Sequence, residues 1–200
     1  MRRTKRIAVG AAGLSLLTLL TACGGSESGT PQGAKGNGTT TSAATSSAAA
    51  SQAAPSVTDP KDAGGLAPCD LLKPDRAIAI GLEPEGTEVE PTGRFAPCNW
   101  RTSDRAFAVD VSADTTWEGM DELYDRQDMY AEFEPLEIDG YPAVRVGLYS
   151  DPAQCEMFVG IAETQAILVQ GTRGPGQTFD TCAKVREVAQ AVLASLPAGK

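Results

Sequence analysis

The chain has 200 residues, with 17 Lys and Arg against 26 Asp and Glu, five Cys and no His. A net charge of −9 argues against a nucleic-acid surface and against docking on anionic lipid headgroups. The missing His removes the commonest general base and the usual activator of a Ser or Cys nucleophile, which sets binding, interaction and support ahead of catalysis.

The first 22 residues read as an export signal. Arg2, Arg3, Lys5 and Arg6 form a basic start, Ile7 to Leu20 an uncharged apolar run, and small residues close it. The run is shorter than the roughly 20 residues a membrane-spanning helix needs. Leu20-Thr21-Ala22-Cys23 resembles a bacterial lipobox. That resemblance implies diacylation of Cys23, which becomes the new N-terminus on the outer face of the cell membrane. Two or more acyl chains, at about 0.8 kcal/mol per buried methylene, make such anchoring stable. An ordinary signal peptide cut near Ala22, with Cys23 incidental, is the competing reading. Arg2-Arg3 hints at twin-arginine export, which Thr4-Lys5-Arg6 does not support. Cleavage leaves 13 Lys and Arg against 26 Asp and Glu, a net charge of −13.

Residues 23–65 read as the lipidated Cys and a disordered Gly, Ser, Thr, Ala and Pro tether, with Val57 its one large aliphatic. Such a stretch cannot bury enough apolar surface to offset its ordering entropy. About 40 flexible residues have a root-mean-square span of about 35 Å. The Ser, Thr and Pro content permits O-glycosylation. Asn37-Gly38-Thr39 fits the N-glycosylation pattern, read here as chance. Residues 66–200 have the size of one domain.

Within that domain Leu71 to Ile80 reads as a helix, with Pro74 in its first turn and Gly81 as its stop. Strand candidates follow at Glu85–Glu90, Asn99–Ser103 and Phe107–Val111. Thr116 to Tyr130 has helical spacing in Trp117, Met120, Leu123 and Tyr124, with Asp121, Asp125, Asp128 and Glu132 on the other face. Asp139-Gly140 marks a tight turn between strands. Further strands carry Val144 to Leu148, Met157 to Ile161, and Ile167 to Val169; Ala143, Gly147, Gly160, Ala162 and Gly171 at the opposite positions would let a helix lie close. Asp180 opens a last helix to Leu196, stopped by Pro197. The order predicts an α+β fold: a single twisted antiparallel β-sheet packed with about three helices.

Cys69, Cys98, Cys155 and Cys182 lie in the folded part of an exported chain, where disulfides persist. Four Cys allow three connectivities. Cys69–Cys98 and Cys155–Cys182 are preferred, since each closes a short loop within one half of the domain. Zinc is the competing reading, but C-x-x-C spacing and His are both missing.

Neither G-x-S-x-G nor S-x-x-K occurs. Ser103-Asp104 and Ser150-Asp151 read as turns. Gly171 to Gly176 is Gly-rich but lacks the phosphate-binding pattern, and reads as a loop before the last helix. The acidic helix face could attract calcium, but that ion takes about six to eight oxygens from a wrapping loop; a solvated face is the plainer reading. Trp100 beside Cys98 is a candidate for core packing or for lining a groove; Trp117, Tyr124 and Tyr130 read as core and rim.

Pro68-Cys69-Asp70-Leu71-Leu72 running to Gly81, Cys98-Asn99-Trp100, Ile138-Asp139-Gly140-Tyr141-Pro142-Ala143, Cys155, and Cys182 leading to Leu196-Pro197 together resemble the actinobacterial lipoprotein family known as domain of unknown function 3558. Lys73 before Pro74 departs from the Ser or Thr cap usual there. The resemblance implies a surface lipoprotein with paired cysteines and a sheet-and-helix domain, and carries over no catalytic residue.

The expected function is an exported, membrane-anchored lipoprotein with a non-enzymatic extracytoplasmic binding or interaction domain. It would need no cofactor or metal, would meet no nucleic acid, and would face an envelope protein, lipid or glycan. The alternatives are an envelope hydrolase, which converging carboxylates in a deep cleft would favour, and a structural accessory subunit, which a solid core with one large apolar patch would favour.

Overall fold

The computed structural model describes residues 53–116, 118–147 and 151–199. Cys23, the signal, most of the tether, Trp117, Leu148 and Ser150 lie outside the described residues.

A 3₁₀ turn, Pro68–Asp70, precedes helix α1, Pro74–Ala79. Strands β1 (Thr87–Glu88), β2 (Cys98–Arg101) and β3 (Phe107–Asp114) follow. Helix α2 (Met120–Asp125) and a 3₁₀ turn (Gln127–Met129) lead into β4 (Glu132–Ile138) and β5 (Tyr141–Gly147). Strands β6 (Gln154–Ala162) and β7 (Gln165–Arg173) run into helix α3 (Thr181–Leu193). The strands form one seven-stranded sheet in the order β1-β2-β3-β7-β6-β5-β4, every pair antiparallel. The α+β fold expected from the sequence is therefore present, and so are both preferred disulfides, Cys69–Cys98 and Cys155–Cys182. Among the described residues no helix is long and apolar enough to cross a membrane.

Alternation along the strands builds two unequal cores. One face carries Trp100, Val109, Val111, Val159, Ile161, Ile167 and Val169, sealed by Val185, Val188, Ala189 and Val192 of α3. A Cβ on Gly171 would stand 2.4 Å from Val185 Cγ2 and 2.9 Å from Phe107 Cε2, so the missing side chain lets α3 lie on the sheet. Gly160 serves the other face, where its Cβ would meet Met120 Cγ at 2.6 Å. The small residues grouped together in the sequence thus divide between two helices. Asp180 Oδ1 caps α3, accepting from the Cys182 and Ala183 amides at 2.9 and 3.2 Å.

Three sequence expectations need correction. Leu71 and Leu72 are buried but lie outside α1, because Pro74 holds Lys73 extended at φ −70°, ψ 145° and breaks the run. The long helix expected over Thr116–Tyr130 contracts to Met120–Asp125. Gly119 enters it at φ 76°, with the Glu163 carbonyl oxygen 1.9 Å from where a Cβ would sit, so the helix cannot extend upstream. Asp121, Asp125, Asp128 and Glu132 consequently do not share one helix, and Glu132 pairs with Gly147 in the sheet. The segment read as tether packs on the domain before Gly65. Tyr141 Oη donates to the Asp59 carbonyl at 2.7 Å, the Lys61 amide donates to the Ile161 carbonyl at 2.7 Å, and the Gly199 amide donates to the Pro60 carbonyl at 2.7 Å. Hydrogen bonds to its backbone groups hold it, and composition does not reveal those.

Both sheet edges are blunted against further pairing. β1 has two residues. In the β4–β5 hairpin Asp139 (φ 51°) and Gly140 (φ 86°) form the two-residue turn, so Glu137, Pro135 and Phe133 direct their backbone groups outward. Pro135 has no N–H to offer, and Arg186 Nη1 donates to the outward Glu137 carbonyl at 3.1 Å.

Candidate functional site

Helix α2 covers part of the second sheet face. Met120, Leu123 and Tyr124 of α2 pack on Val144, Val146, Phe158, Ala166 and Leu168, with Phe95 and Phe133 at the margin. Charges pin this cover. Asp114, 2% exposed, accepts from the Thr116 amide and hydroxyl at 2.9 Å each and pairs with Arg94 Nε at 2.7 Å. Arg94 reaches on to Glu122 at 3.2 Å, and Glu122 to Arg126 at 3.0 Å. The loop before β2 and helix α2 are thereby locked to the end of β3.

Beyond the cover the same face turns polar. Register places Asn99 of β2 beside Asp110 of β3, Asp110 beside Gln170 of β7, Gln170 beside Glu156 of β6, Glu156 beside Val146 of β5, and Val146 beside Phe133 of β4. Neighbouring strands stand about 4.8 Å apart, so the four polar members span about 14 Å. Asn99 Nδ2 donates to Asp110 Oδ1 at 2.8 Å, Gln170 Nε2 donates to Glu156 Oε2 at 2.9 Å, and Arg101 Nη2 donates to Asn99 Oδ1 at 2.8 Å. Thr172 and Gln154, paired in the next row, are exposed. Strands β5 and β6 pair from Ala143↔Val159 to Val146↔Glu156, and a concavity of about 880 Å³ lies beside the Val146–Glu156 end. Asp110, Glu156, Gln170, Thr172 and Val146 line it, and it continues over the sheet end to Arg145 and Thr181.

Burial pushes the Glu156 carboxyl up from its ordinary value, against the Gln170 hydrogen bond, which lowers it. Tyr130 is raised too, first by burial and then by the charge of Glu156, which ties the aromatic margin to the polar row. A carboxyl raised in the fold costs stability above its folded value, and the cost disappears as pH falls below the unfolded value. Glu156→Gln should therefore raise stability at neutral pH, with the gain shrinking toward zero below the ordinary carboxylate range. Urea unfolding at several pH values checks this; a gain independent of pH would contradict it.

The sequence-derived candidates mostly fall elsewhere. Asp121, Asp125 and Asp128 are exposed, and Glu132 pairs with Arg145 at 3.7 Å. Among the described residues no three His, Cys, Asp or Glu could hold a metal ion together. Asp104 accepts from the Thr102 hydroxyl and the Ala106 amide, and Asp151 from the Ala153 amide, as turn residues do. Trp100, 1% exposed, packs beside Cys98 behind Gly86, in the core. Gly171 to Arg173 belong to β7, and the loop begins at Gly174. The polar row was missed. Its signal is a polar residue at the alternate position of an otherwise apolar strand: Asp110 between Val109 and Val111, Glu156 between Cys155 and Met157, and Gln170 after Val169.

Set against known proteins, residues 18–195 match the model of DUF3558, a protein family of unknown function. Neither the curated proteins nor the solved structures contain a match to the chain. The match spans most of the chain, and the chain belongs to the DUF3558 family.

Proposed function

We propose that the chain is an exported lipoprotein held on the outer face of the cell membrane by a lipid on Cys23, and that its domain is a non-enzymatic binding module. Two disulfides support an oxidising, extracytoplasmic setting. The signal-like start and the Leu20-Thr21-Ala22-Cys23 sequence support the anchor.

The polar half-face of the sheet carries the binding reading. α3 seals one face, and on the other the row Asn99-Asp110-Gln170-Glu156 reaches solvent, with Gln170 exposed and Asn99, Asp110 and Glu156 half-buried on the strands. Side chains fixed on strands give a preformed surface, which reduces the ordering cost of binding. Each carboxylate of the row is tied to an amide, an arrangement suited to holding a ligand.

Cys23→Ser should move the protein from the membrane fraction to the medium; retention at the membrane would sink the anchor. For the face, a photo-crosslinking residue at Thr172 should capture envelope material on intact cells, and the same residue at exposed Ile78 on α1 should not. Equal capture at both positions would sink the assignment.

A further inference from the structure

We propose that the ligand of the polar row is a neutral, polyhydroxylated chain, that is, a glycan segment lying across strands β2, β3, β7 and β6. The inference rests on the binding reading above and names the ligand class for that face. Amide and carboxylate alternate along the row: Asn99, Asp110, Gln170, Glu156. An amide both donates and accepts, a carboxylate accepts, and a hydroxyl does both, so sugar hydroxyls can satisfy every member. A cation could use only the acceptor oxygens, whereas a hydroxyl can also serve the amide N–H groups.

The charges agree. Asp110 already accepts from Asn99 and Glu156 from Gln170, so neither is a bare acidic group. Arg101, bonded to Asn99 at 2.8 Å, places a positive charge at the β2 end, which disfavours a cationic ligand there. Anionic polymers face the chain's net negative charge. At the other end the row meets buried Val146 and, beyond it, half-buried Phe133, which packs edge-on against Tyr124 and lies 6.2 Å from the Tyr130 ring. An apolar and aromatic margin beside planar polar groups suits a sugar ring, which has C–H faces and a hydroxyl rim. A concavity of about 880 Å³, of the size that holds small ligands, adjoins the Asp110, Gln170 and Glu156 part of the row and runs on over the sheet end, where Arg145, Arg173, Asp151 and Asp180 line it.

The test is a titration of the full chain, secreted with its disulfides formed and isotope-labelled for NMR. The probes are tetrasaccharides of N-acetylglucosamine, mannose, galactose and arabinose, with tetralysine as the charged comparison. At least one tetrasaccharide should give saturable shifts of the Asn99 and Gln170 side-chain amides, insensitive to salt. Gln170→Ala should weaken it about tenfold, the loss expected for one well-placed hydrogen bond. Ile78→Ser should bind as the native chain does, and an unchanged spectrum away from the row shows that each variant is folded. No shift with any of the four sugars, or shifts confined to another surface, overturns the inference. A salt-sensitive response of the row to tetralysine alone overturns it while leaving the face as a binding surface; failure of the Thr172 crosslink removes that surface too.

Discussion

Replacing Cys155 and Cys182 together with Ser should lower the unfolding free energy by about 3–4 kcal/mol. The bond joins residues 27 apart, and closing a loop of that length removes entropy from the unfolded chain. It also ties the face of β6 to the first turn of α3, the helix that covers the main core. The loss therefore falls on the contact between sheet and helix, and tryptophan fluorescence in urea, with Trp100 in that core, should report it. A Cys69→Ser, Cys98→Ser pair should cost a similar amount, since its separation is 29. A change under about 1 kcal/mol in either pair would show that the bond restrains little.

The second large effect belongs to Arg94. Arg94→Ala should destabilise the chain by about 2–3 kcal/mol. Asp114, almost wholly buried, would keep its two bonds from Thr116 and lose its cation, and stranding a buried charge costs several kcal/mol when nothing replaces the partner. The discount reflects Arg94 itself, which is 40% exposed. Asp114→Asn in the Arg94→Ala background should recover part of the loss, since it removes the stranded charge and keeps an acceptor for Thr116. Equal destabilisation in the single and double variants would contradict this account of the cover.

The fold was legible where one physical signal dominates. Alternation marked β3, β6 and β7, the Asp180 cap and the Val185-Val188-Val192 spacing marked α3, and the short cysteine loops marked both disulfides. It was less legible where two signals compete. The spacing of Met120, Leu123 and Tyr124 suggests a long helix, but Gly119 at positive φ prevents one. β4 hides because Phe133 and Leu136 are separated by Glu134 and Pro135, and Glu132 read as part of a helix face. The members of the polar row are each marked in one dimension, as a polar residue among apolar strand positions, but their assembly into a row is not. Asn99, Asp110, Glu156 and Gln170 are ordinary outward positions in the sequence, and only the pairing of β3 with β7 makes them neighbours.

Hydrogen–deuterium exchange of the full chain, with and without a cell-envelope preparation, tests the central claim most directly. The account predicts slower exchange on adding envelope in peptides covering Phe107–Asp114, Gln154–Ala162 and Gln165–Arg173, with α1 unchanged. Unchanged exchange in those strands, with protection appearing on α1 or α3 instead, would contradict it.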